Sequence, residues 1–251
     1  GAQRWIQLGP ITLQPSEFSK IIMIIALAAM LEDRVGKLNT VSDILPVLGY
    51  VALPFFLVLK QPDLGTSLVF IAILLGMMFV AGVNLRILAA GFAAGVAASP
   101  LLWLFLKDYQ KMRLKVFLDP SVDPLGSGYH IIQSKIAIGS GLIFGKGLFG
   151  GTQSQLNFLP ENHTDFIFAV VGEELGFVGA AALLLLYLVV LWRGVKIARD
   201  ASDTFGRLLA VGITSMLAFH VLVNVGMTTG IMPVTGIPLP LMSYGVSSLT
   251  T

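Results

Sequence analysis

Carboxylates at the edges of long apolar runs are the residues of this chain best suited to chemistry. Asp165 is the last polar residue before one such run. Two interpretations of it are open: it caps the start of a helix, a task that Thr164 would share, or it is a reactive carboxylate at a membrane surface. A helix N-terminus stabilises a nearby negative charge by about 0.3–1 kcal/mol, so Asp165 is expected to be ionised and able to accept a proton.

Two further places carry charge beside apolar segments. Glu17 and Lys20 are three positions apart, so they share one face of a helix. Ser16 as the N-cap, with Lys20 extending to the membrane surface, explains the pair structurally. A lysine in the first turn opposes the helix dipole, however, which favours a specific anionic partner. Asp63 follows a proline and is a turn residue or a helix cap.

Polar residues inside the apolar runs are predicted to be structural. Glu173 and Glu174 lie about two turns into one run, while His220 and Asn224 share one face of a later run. We expect all four to hydrogen-bond to neighbouring helices, because unpaired polar groups are expensive inside a bilayer. A separate set supplies positive charge to the outward-facing side, and a solvated loop or lipid headgroups would explain it equally well: Arg4, Arg113, Lys115 and Lys135.

The chain that must position these residues has the composition of a membrane protein. It has 251 residues, of which 55% are hydrophobic and only 12% are charged. Soluble domains are about 25% charged, so this chain has too little charge to cover a soluble globule. The net charge of +2 gives no reason to expect nucleic acid binding, and the absence of cysteine excludes disulfides and thiolate metal sites. Zinc-ligand spacing and a nucleophile elbow are absent from the sequence, and Gly145-Lys-Gly147 is an incomplete phosphate loop.

Apolar stretches near the length of a bilayer span predict an all-α, polytopic transmembrane helical bundle. Complete helices are predicted at Phe18–Leu31, Ile44–Leu59, Ser67–Ala81, Ile87–Leu106, Phe166–Trp192 and Leu208–Thr229, and a further one begins near Leu241. We expect residues 1–251 to form a single integral membrane domain that is a fragment of a longer protein, because the chain begins and stops inside predicted elements.

Basic residues orient this bundle. They concentrate in the short loops after the first, third and fifth helices, and the positive-inside rule makes that side cytoplasmic. The segment Lys107–Asp165 is then a long extracytoplasmic loop, and loops of this length are usually functional or disordered. Within it, the apolar spacing over His130–Ile138 predicts a short amphipathic helix that lies on the membrane.

A set of outward-facing motifs occurs in order along the whole chain. The set comprises Gly1–Ile6, Gln14–Lys20, Gln61–Ser67, Leu118–Pro120, Asp123–Tyr129, Gln133-Ser134, Leu159–Ala169, Gly172–Gly176, Asn224, Gly230, Pro233, Gly236–Pro240 and Ser243–Gly245. Together these motifs closely resemble the SEDS family of shape, elongation, division and sporulation proteins, and within it the elongation protein most. One departure is visible: the family's closing Ser-Tyr-Gly-Gly-Ser has Val246 at its second glycine, which is costly if that position requires a positive φ.

The resemblance implies a ten-helix peptidoglycan glycosyltransferase of the bacterial cytoplasmic membrane that polymerises lipid II, with Asp165 as its catalytic carboxylate. It also implies a partner, a class B penicillin-binding protein. The substrate-binding residues implied around a central cavity are Arg4, Trp5, Glu17, Lys20, Asp63, Arg113, Gln133, Ser134 and His163. The cofactor is left open, as none or a divalent cation (Mg²⁺ or Mn²⁺) beside the pyrophosphate.

On this hypothesis Asp165 takes the proton from the 4-hydroxyl of the acceptor's GlcNAc, and that oxygen displaces undecaprenyl pyrophosphate from the donor with inversion. Arg4, Lys20 and Arg113 are the candidate cations for the leaving group. The stretch Tyr129–Ile138 is expected to press on the bilayer and admit the lipid tail.

Two other functions stay open. A lipid II flippase also needs a polar cavity with headgroup sites in a helical bundle, but its charged residues are expected near the bilayer midplane. Here the candidate residues lie on the outer face, which favours catalysis at the surface. A non-catalytic scaffold for cell-wall synthesis predicts that Asp165→Asn is harmless.

Overall fold

The computed structural model describes residues 6–8, 11–61, 63–124, 126–156 and 158–244. Two short antiparallel strands, β1 (Ile6–Leu8) and β2 (Ile11–Leu13), pair Ile6 with Leu13. The helices of the described part are α1 (Pro15–Glu32), α2 (Val41–Lys60), α3 (Leu64–Val80), α4 (Leu85–Phe105), α5 (Asp108–Leu118), α6 (Ser127–Ser140), α7 (Thr152–Gln155), α8 (Ile167–Asp200) and α9 (Thr204–Thr229). The predicted all-α architecture is therefore confirmed, with a small hairpin added before α1.

The six predicted apolar helices are confirmed as α1, α2, α3, α4, α8 and α9. Most of their ends lie within about one turn of the prediction, but α8 continues past Trp192 to Asp200. Arginine and lysine are good helix formers, so the basic residues after the apolar run extend the helix. The helix predicted from Leu241 is not seen at its start, because residues 240–242 form a turn, and residues 245–251, with Val246 among them, lie outside the described residues.

Three helices, α2, α8 and α9, are long and apolar enough to cross a membrane. The apolar parts of α3 and α4 are shorter, while α1 carries Glu17, Lys20 and Glu32 within 18 residues. The structure thus supports a multi-span bundle in which charged and shorter helices accompany the apolar spans.

The starts of α1 and α3 test two predicted caps. Helix α1 begins at Pro15, so Ser16 lies inside its first turn, and the prediction of a Ser16 cap is wrong. Proline is common at the first helical position because it has no N–H to leave unbonded and its φ already suits a helix. Asp63 does cap α3, since its carboxylate accepts from the Thr66 N–H at 3.1 Å and from the Thr66 hydroxyl at 3.0 Å.

Contacts within the chain divide it into two compact units. The first takes its described residues from Gly1–Leu101 and Val190–Phe219, and the second takes them from Leu102–Val189 and His220–Ser248. Helices α1 to α3 belong to the first unit and α5 to α7 to the second, while α4, α8 and α9 contribute to both.

The predicted amphipathic helix is present as α6, but its apolar residues do not all face outward. Ile131 is only 2% exposed, and Ile138 packs against a core cluster that includes Leu159 and Phe166. Ile132 is 37% exposed. One face of α6 therefore packs into the second unit, and only the remaining face is available to a bilayer.

Helix α8 is interrupted at Gly176, whose φ of +65° is readily adopted only by glycine. The loop that follows α6 fills this break. The N–H groups of Phe177 and Val178 donate to the carbonyls of Leu142 and Ile143 at 2.9 and 3.0 Å. Backbone groups released by the break are thus bonded within the protein, as non-helical backbone at membrane depth requires.

Glu173 fastens the same loop one turn earlier in α8. Its fully buried carboxylate accepts from Lys146 Nζ at 2.8 Å and from the N–H groups of Gln153 and Ser154 at 2.9 and 3.1 Å. The two N–H groups belong to the first turn of α7, where a negative charge is favourable. The prediction that Glu173 is structural is confirmed.

We expect Glu173→Gln to lower the free energy of unfolding by about 1–3 kcal/mol, because it removes a charged acceptor from four donors: Lys146 Nζ, the Thr152 hydroxyl, and the N–H groups of Gln153 and Ser154. The matched control is Glu174→Gln, whose carboxylate accepts a longer bond of 3.3 Å from Gln155. The control is expected to cost less than about 1 kcal/mol. Denaturant unfolding of the full-length protein in one detergent measures both, and equal losses would show that the contacts of Glu173 add no particular stability.

Candidate functional site

Asp165 lies in the turn that leads into α8, and its side chain is partly exposed. The turn is closed by the N–H groups of Thr164 and Phe166, which donate to the Glu161 carbonyl at 3.2 and 3.1 Å. The Thr164 hydroxyl bonds to Glu161 as well, so it does not share in capping α8. Asp165 is therefore a partly exposed carboxylate at the N-terminal end of an apolar helix, a position where the helix dipole favours acidic residues.

Asn224 on α9 fixes the backbone of this turn. It is fully buried, and its Nδ2 donates to the carbonyl oxygens of Asp165 and Ile237, both at 2.8 Å. A side-chain amide has two N–H donors, and both are used here. One side chain thus holds together two segments that are distant in sequence and sets where the main chain of Asp165 lies.

The chain that follows α9 runs beside the Asp165 turn. A Cβ built on Gly236 would lie 3.2 Å from Asp165 Oδ2, and the φ of +76° at Gly236 also favours glycine. The Ser243 hydroxyl donates to the Thr164 carbonyl at 2.6 Å. Glycine therefore leaves room beside the carboxylate while a serine fastens the segment to the turn.

A cavity of about 400 Å³ opens beside the same turn. It is lined by His163, Ile167, Met242 and Tyr244. The Tyr244 N–H donates to the His163 carbonyl at 2.8 Å, and the side chains of both residues are exposed. His163, a predicted substrate contact, therefore lies at an open surface two positions before Asp165.

Arg113 on α5 holds another part of the segment after α9. Its Nη1 donates to the carbonyls of Val234 and Thr235 at 3.2 and 3.4 Å. The Tyr109 ring lies 6.0 Å from the guanidinium carbon. Arg113 was predicted to face a leaving group, and the structure shows that one of its nitrogens positions the segment that carries Gly236.

The residues predicted on α6 pack toward α9. Ser134 is fully buried, and its hydroxyl donates to the Thr228 carbonyl at 2.7 Å. Gln133 beside it is partly exposed. The Lys135 side chain passes over Gly230 at the C-terminal end of α9, where a Cβ would lie 2.7 Å from Lys135 Nζ and where the helix dipole favours a cation.

The first unit holds a second group of predicted site residues. Glu17 and Lys20 form an ion pair, with 2.8 Å from Nζ to each carboxylate oxygen. Lys20 is only 3% exposed, so its extension to the membrane surface is wrong, and Glu17 is an anionic partner on the same helix. Gln14 Nε2 donates to Asp63 Oδ2 at 3.5 Å. Two predicted site residues, Arg4 and Trp5, lie outside the described residues.

The described residues contain no group of three or more His, Asp or Glu side chains that could hold a metal ion.

His130 on α6 stacks on the ring of Phe166, the neighbour of Asp165, with centroids 5.9 Å apart. Burial lowers the pKa of the imidazole below its ordinary value of 6.5, and Arg113 lowers it further, while the carboxylates of Glu161 and Asp123 oppose both. Its Nδ1 is buried and has no hydrogen-bond partner among the described residues. The neutral form is therefore the one that the fold favours.

We expect the unfolding free energy to fall as pH drops below about 6.5, because the unfolded chain then binds a proton at His130 more readily than the folded chain does. Above about pH 7.5 this contribution is constant, since both states are neutral. His130→Phe keeps a ring on Phe166 and removes the titration. Unfolding measured between pH 5 and 8 should show a smaller loss in the variant, and parallel curves would contradict the assignment.

Comparison with known proteins identifies the relatives of this chain. A family model described as cell cycle protein, FtsW/RodA/SpoVE, matches residues 1–251. The chain is 49% identical over 250 residues to the peptidoglycan glycosyltransferase MrdB of Escherichia coli K12, covering 99% of this chain and 67% of that protein. It is 45% identical to the stage V sporulation protein E of Bacillus subtilis strain 168, covering 100% of this chain and 68% of that protein. The chain thus spans about two thirds of the length of these relatives.

A solved structure of a peptidoglycan synthase complex, described for its coordination of polymerization and crosslinking, matches with a TM-score of 0.81 and 40% identity. That match covers 99% of this chain and 69% of the solved one. The apolar helices and these relatives together show a multi-pass bacterial membrane protein. The chain belongs to the family of FtsW, RodA and SpoVE cell cycle proteins, the one that its outward-facing motifs predict.

Proposed function

We propose that this protein is a peptidoglycan glycosyltransferase that polymerises lipid II at the outer face of the bacterial inner membrane during cell elongation. The names of its relatives support the activity. The observation that carries the chemistry is a partly exposed carboxylate, Asp165, at a helix N-terminus, with its main chain held by a buried amide and free space left beside it by Gly236.

In the proposed reaction Asp165 accepts the proton of the 4-hydroxyl on the acceptor's GlcNAc. The hydroxyl oxygen then forms a bond to the anomeric carbon of the donor, whose bond to undecaprenyl pyrophosphate breaks with inversion. The pyrophosphate leaves with the electron pair. A positioned base of this kind contributes about 10²–10⁴-fold to the rate.

The leaving group needs cations, because it carries at least two negative charges at the membrane edge. Arg113 is a candidate, since it binds the carbonyls of Val234 and Thr235, which directly precede Gly236, and a guanidinium has five N–H donors. Arg4 and Lys20 complete the proposed set. Trp5, Glu17, Asp63, Gln133, Ser134 and His163 stay proposed substrate-binding residues.

Three further parts of the proposal concern the partner, the membrane domain and a metal ion. Its partner is a class B penicillin-binding protein, which the match to a peptidoglycan synthase complex supports. Residues 1–251 are one part of a single membrane domain, with 107–165 as its extracytoplasmic loop. A divalent cation bound to the phosphates of lipid II stays a prediction. Such a cation would need few protein ligands, because Mg²⁺ in phosphate sites is held largely by the phosphates and water.

The deciding experiment supplies lipid II to the full-length protein in complex with its penicillin-binding partner, in detergent and in sealed vesicles. Glycan strands formed in detergent, where no membrane separates two compartments, support the glycosyltransferase. Movement of lipid II across vesicles without strands would instead support a flippase. Neither strands nor movement, with a folded and assembled complex, would favour a scaffold.

A further inference from the structure

A second cavity, of about 560 Å³, lies within the first unit between α3, α8 and α9. Its walls come from the last turn of α3, the last two turns of α8 and the first turns of α9. These three helix ends share one side of the membrane if the spans alternate, and the basic loops make that side cytoplasmic. The cavity is therefore expected to open on the cytoplasmic side.

Small residues bring α3 and α8 close to α9 beside the cavity. A Cβ on Gly76 of α3 would lie 2.0 Å from the Ser215 hydroxyl of α9, and one on Gly194 of α8 would lie 2.3 Å from the Thr214 hydroxyl. Because these distances are too short for a real Cβ atom, the backbones of α3 and α8 can approach α9 this closely only with glycine at these positions. The residues that line the cavity at the ends of α3 and α8 and at the start of α9 include Phe79, Val195 and Val211.

The chemistry of the lining has two parts. Phe79, Val195 and Val211 give an apolar wall, while Arg199 and Arg207 supply positive charge from two different helices. Among the described residues, no acidic side chain lines this cavity and neither guanidinium belongs to an ion pair.

A neighbouring cavity provides the contrast. Its lining mixes Arg193 and Lys196 with Asp200 and Asp203, so its charges balance internally. The cavity between α3, α8 and α9 instead presents two cations beside an apolar wall. This arrangement complements a lipid, whose phosphate would bind the cations while an acyl chain packs on the wall.

We propose that this cavity binds one anionic phospholipid of the cytoplasmic leaflet. The phosphate lies between Arg199 and Arg207, each of which can donate two hydrogen bonds to it. An acyl chain lies along Phe79, Val195 and Val211. Basic pockets between membrane helices on the cytoplasmic side are known to take anionic headgroups in this way.

The test uses the full-length protein in a mild detergent, with bound lipid counted by native mass spectrometry. The probes are dioleoyl phosphatidylglycerol, dioleoyl phosphatidylethanolamine and glycerol phosphate. We expect phosphatidylglycerol to bind in preference to phosphatidylethanolamine. Glycerol phosphate should not compete, because it has no acyl chain to bind the apolar wall.

The charge arm compares the double variant Arg199→Gln/Arg207→Gln with Arg193→Gln/Lys196→Gln, which makes the same charge change in the neighbouring cavity. At about 1 kcal/mol for each basic residue near an anionic surface, the first variant should lose roughly thirtyfold in affinity. The control should lose far less. Equal losses in both variants would overturn the site and leave only general attraction to the leaflet.

The apolar arm compares Val195→Trp, which fills the wall without changing charge, with Ile197→Trp, whose residue lines the neighbouring cavity. Both positions are well exposed, at 58% and 62%, so both variants should fold. Loss of phosphatidylglycerol only in Val195→Trp supports the proposal. Unchanged binding there, or no bound lipid on the wild-type full-length protein, would overturn it.

Discussion

Replacing Asp165 by asparagine is expected to lower the rate of lipid II polymerisation by about 10²–10⁴-fold. The change keeps the size of the side chain and removes its ability to accept a proton. The bond from Asn224 reaches the main-chain carbonyl of Asp165, so it survives the substitution. Folding and partner binding should therefore change little while the chemical step is lost.

Glu161→Gln is the matched control for this experiment. Glu161 is an exposed carboxylate in the same turn, and its side chain accepts a bond of 3.0 Å from the Thr164 hydroxyl. Strand synthesis from lipid II by the partner-bound, full-length variants gives the two rates. A normal rate in Asp165→Asn would mean that Asp165 serves only as a helix cap and that the base lies elsewhere.

Asn224→Leu is expected to lower kcat by about 10²-fold, because a shift near 1 Å in a catalytic group is enough for a loss of that size. Leucine has a similar size and cannot donate to the carbonyls of Asp165 and Ile237. One buried and one partly buried acceptor then lose their partner, and the buried one costs about 1–3 kcal/mol. The turn that carries Asp165 should move relative to the segment after α9.

Thr229→Val controls for loss of a polar group on the same helix. The Thr229 hydroxyl donates to carbonyls of α9 itself, at 2.7 Å to Val225 and 3.2 Å to Gly226, so removing it leaves the Asp165 turn alone. Steady-state kinetics on folded protein should show a fall in kcat larger than the change in KM for Asn224→Leu and neither for Thr229→Val. A stability loss without a change in kcat would make Asn224 a packing residue only.

Several outcomes show where sequence reasoning reached the site and where it stopped. Asp165 and the cap at Asp63 were predictable because each follows a break and precedes an apolar run. The Ser16 cap was wrong because Pro15 already satisfies the first helical position. For Lys20 the sequence left open a surface position or an anionic partner, and only the structure shows the ion pair with a carboxylate on its own helix that makes burial tolerable.

Asn224 and Gly236 were less accessible to sequence reasoning. An amide inside an apolar run signals that a partner must exist, because unpaired polar groups are costly there, yet the run does not identify the partner. Gly236 belongs to a motif, but only the fold shows that its missing Cβ leaves room beside Asp165.

The sequence by itself determined that this is a helical membrane protein, which runs form its helices and which family it belongs to. Composition, apolar length and local motifs carry that information because a bilayer imposes it on each segment separately. The tertiary structure decided which residues meet. Asn224 bonds to a residue 59 positions earlier in the chain, and Arg113 to carbonyls 121 and 122 positions later. Such contacts depend on how helices and loops pack, and side-chain type alone specifies the need for a partner without specifying the partner.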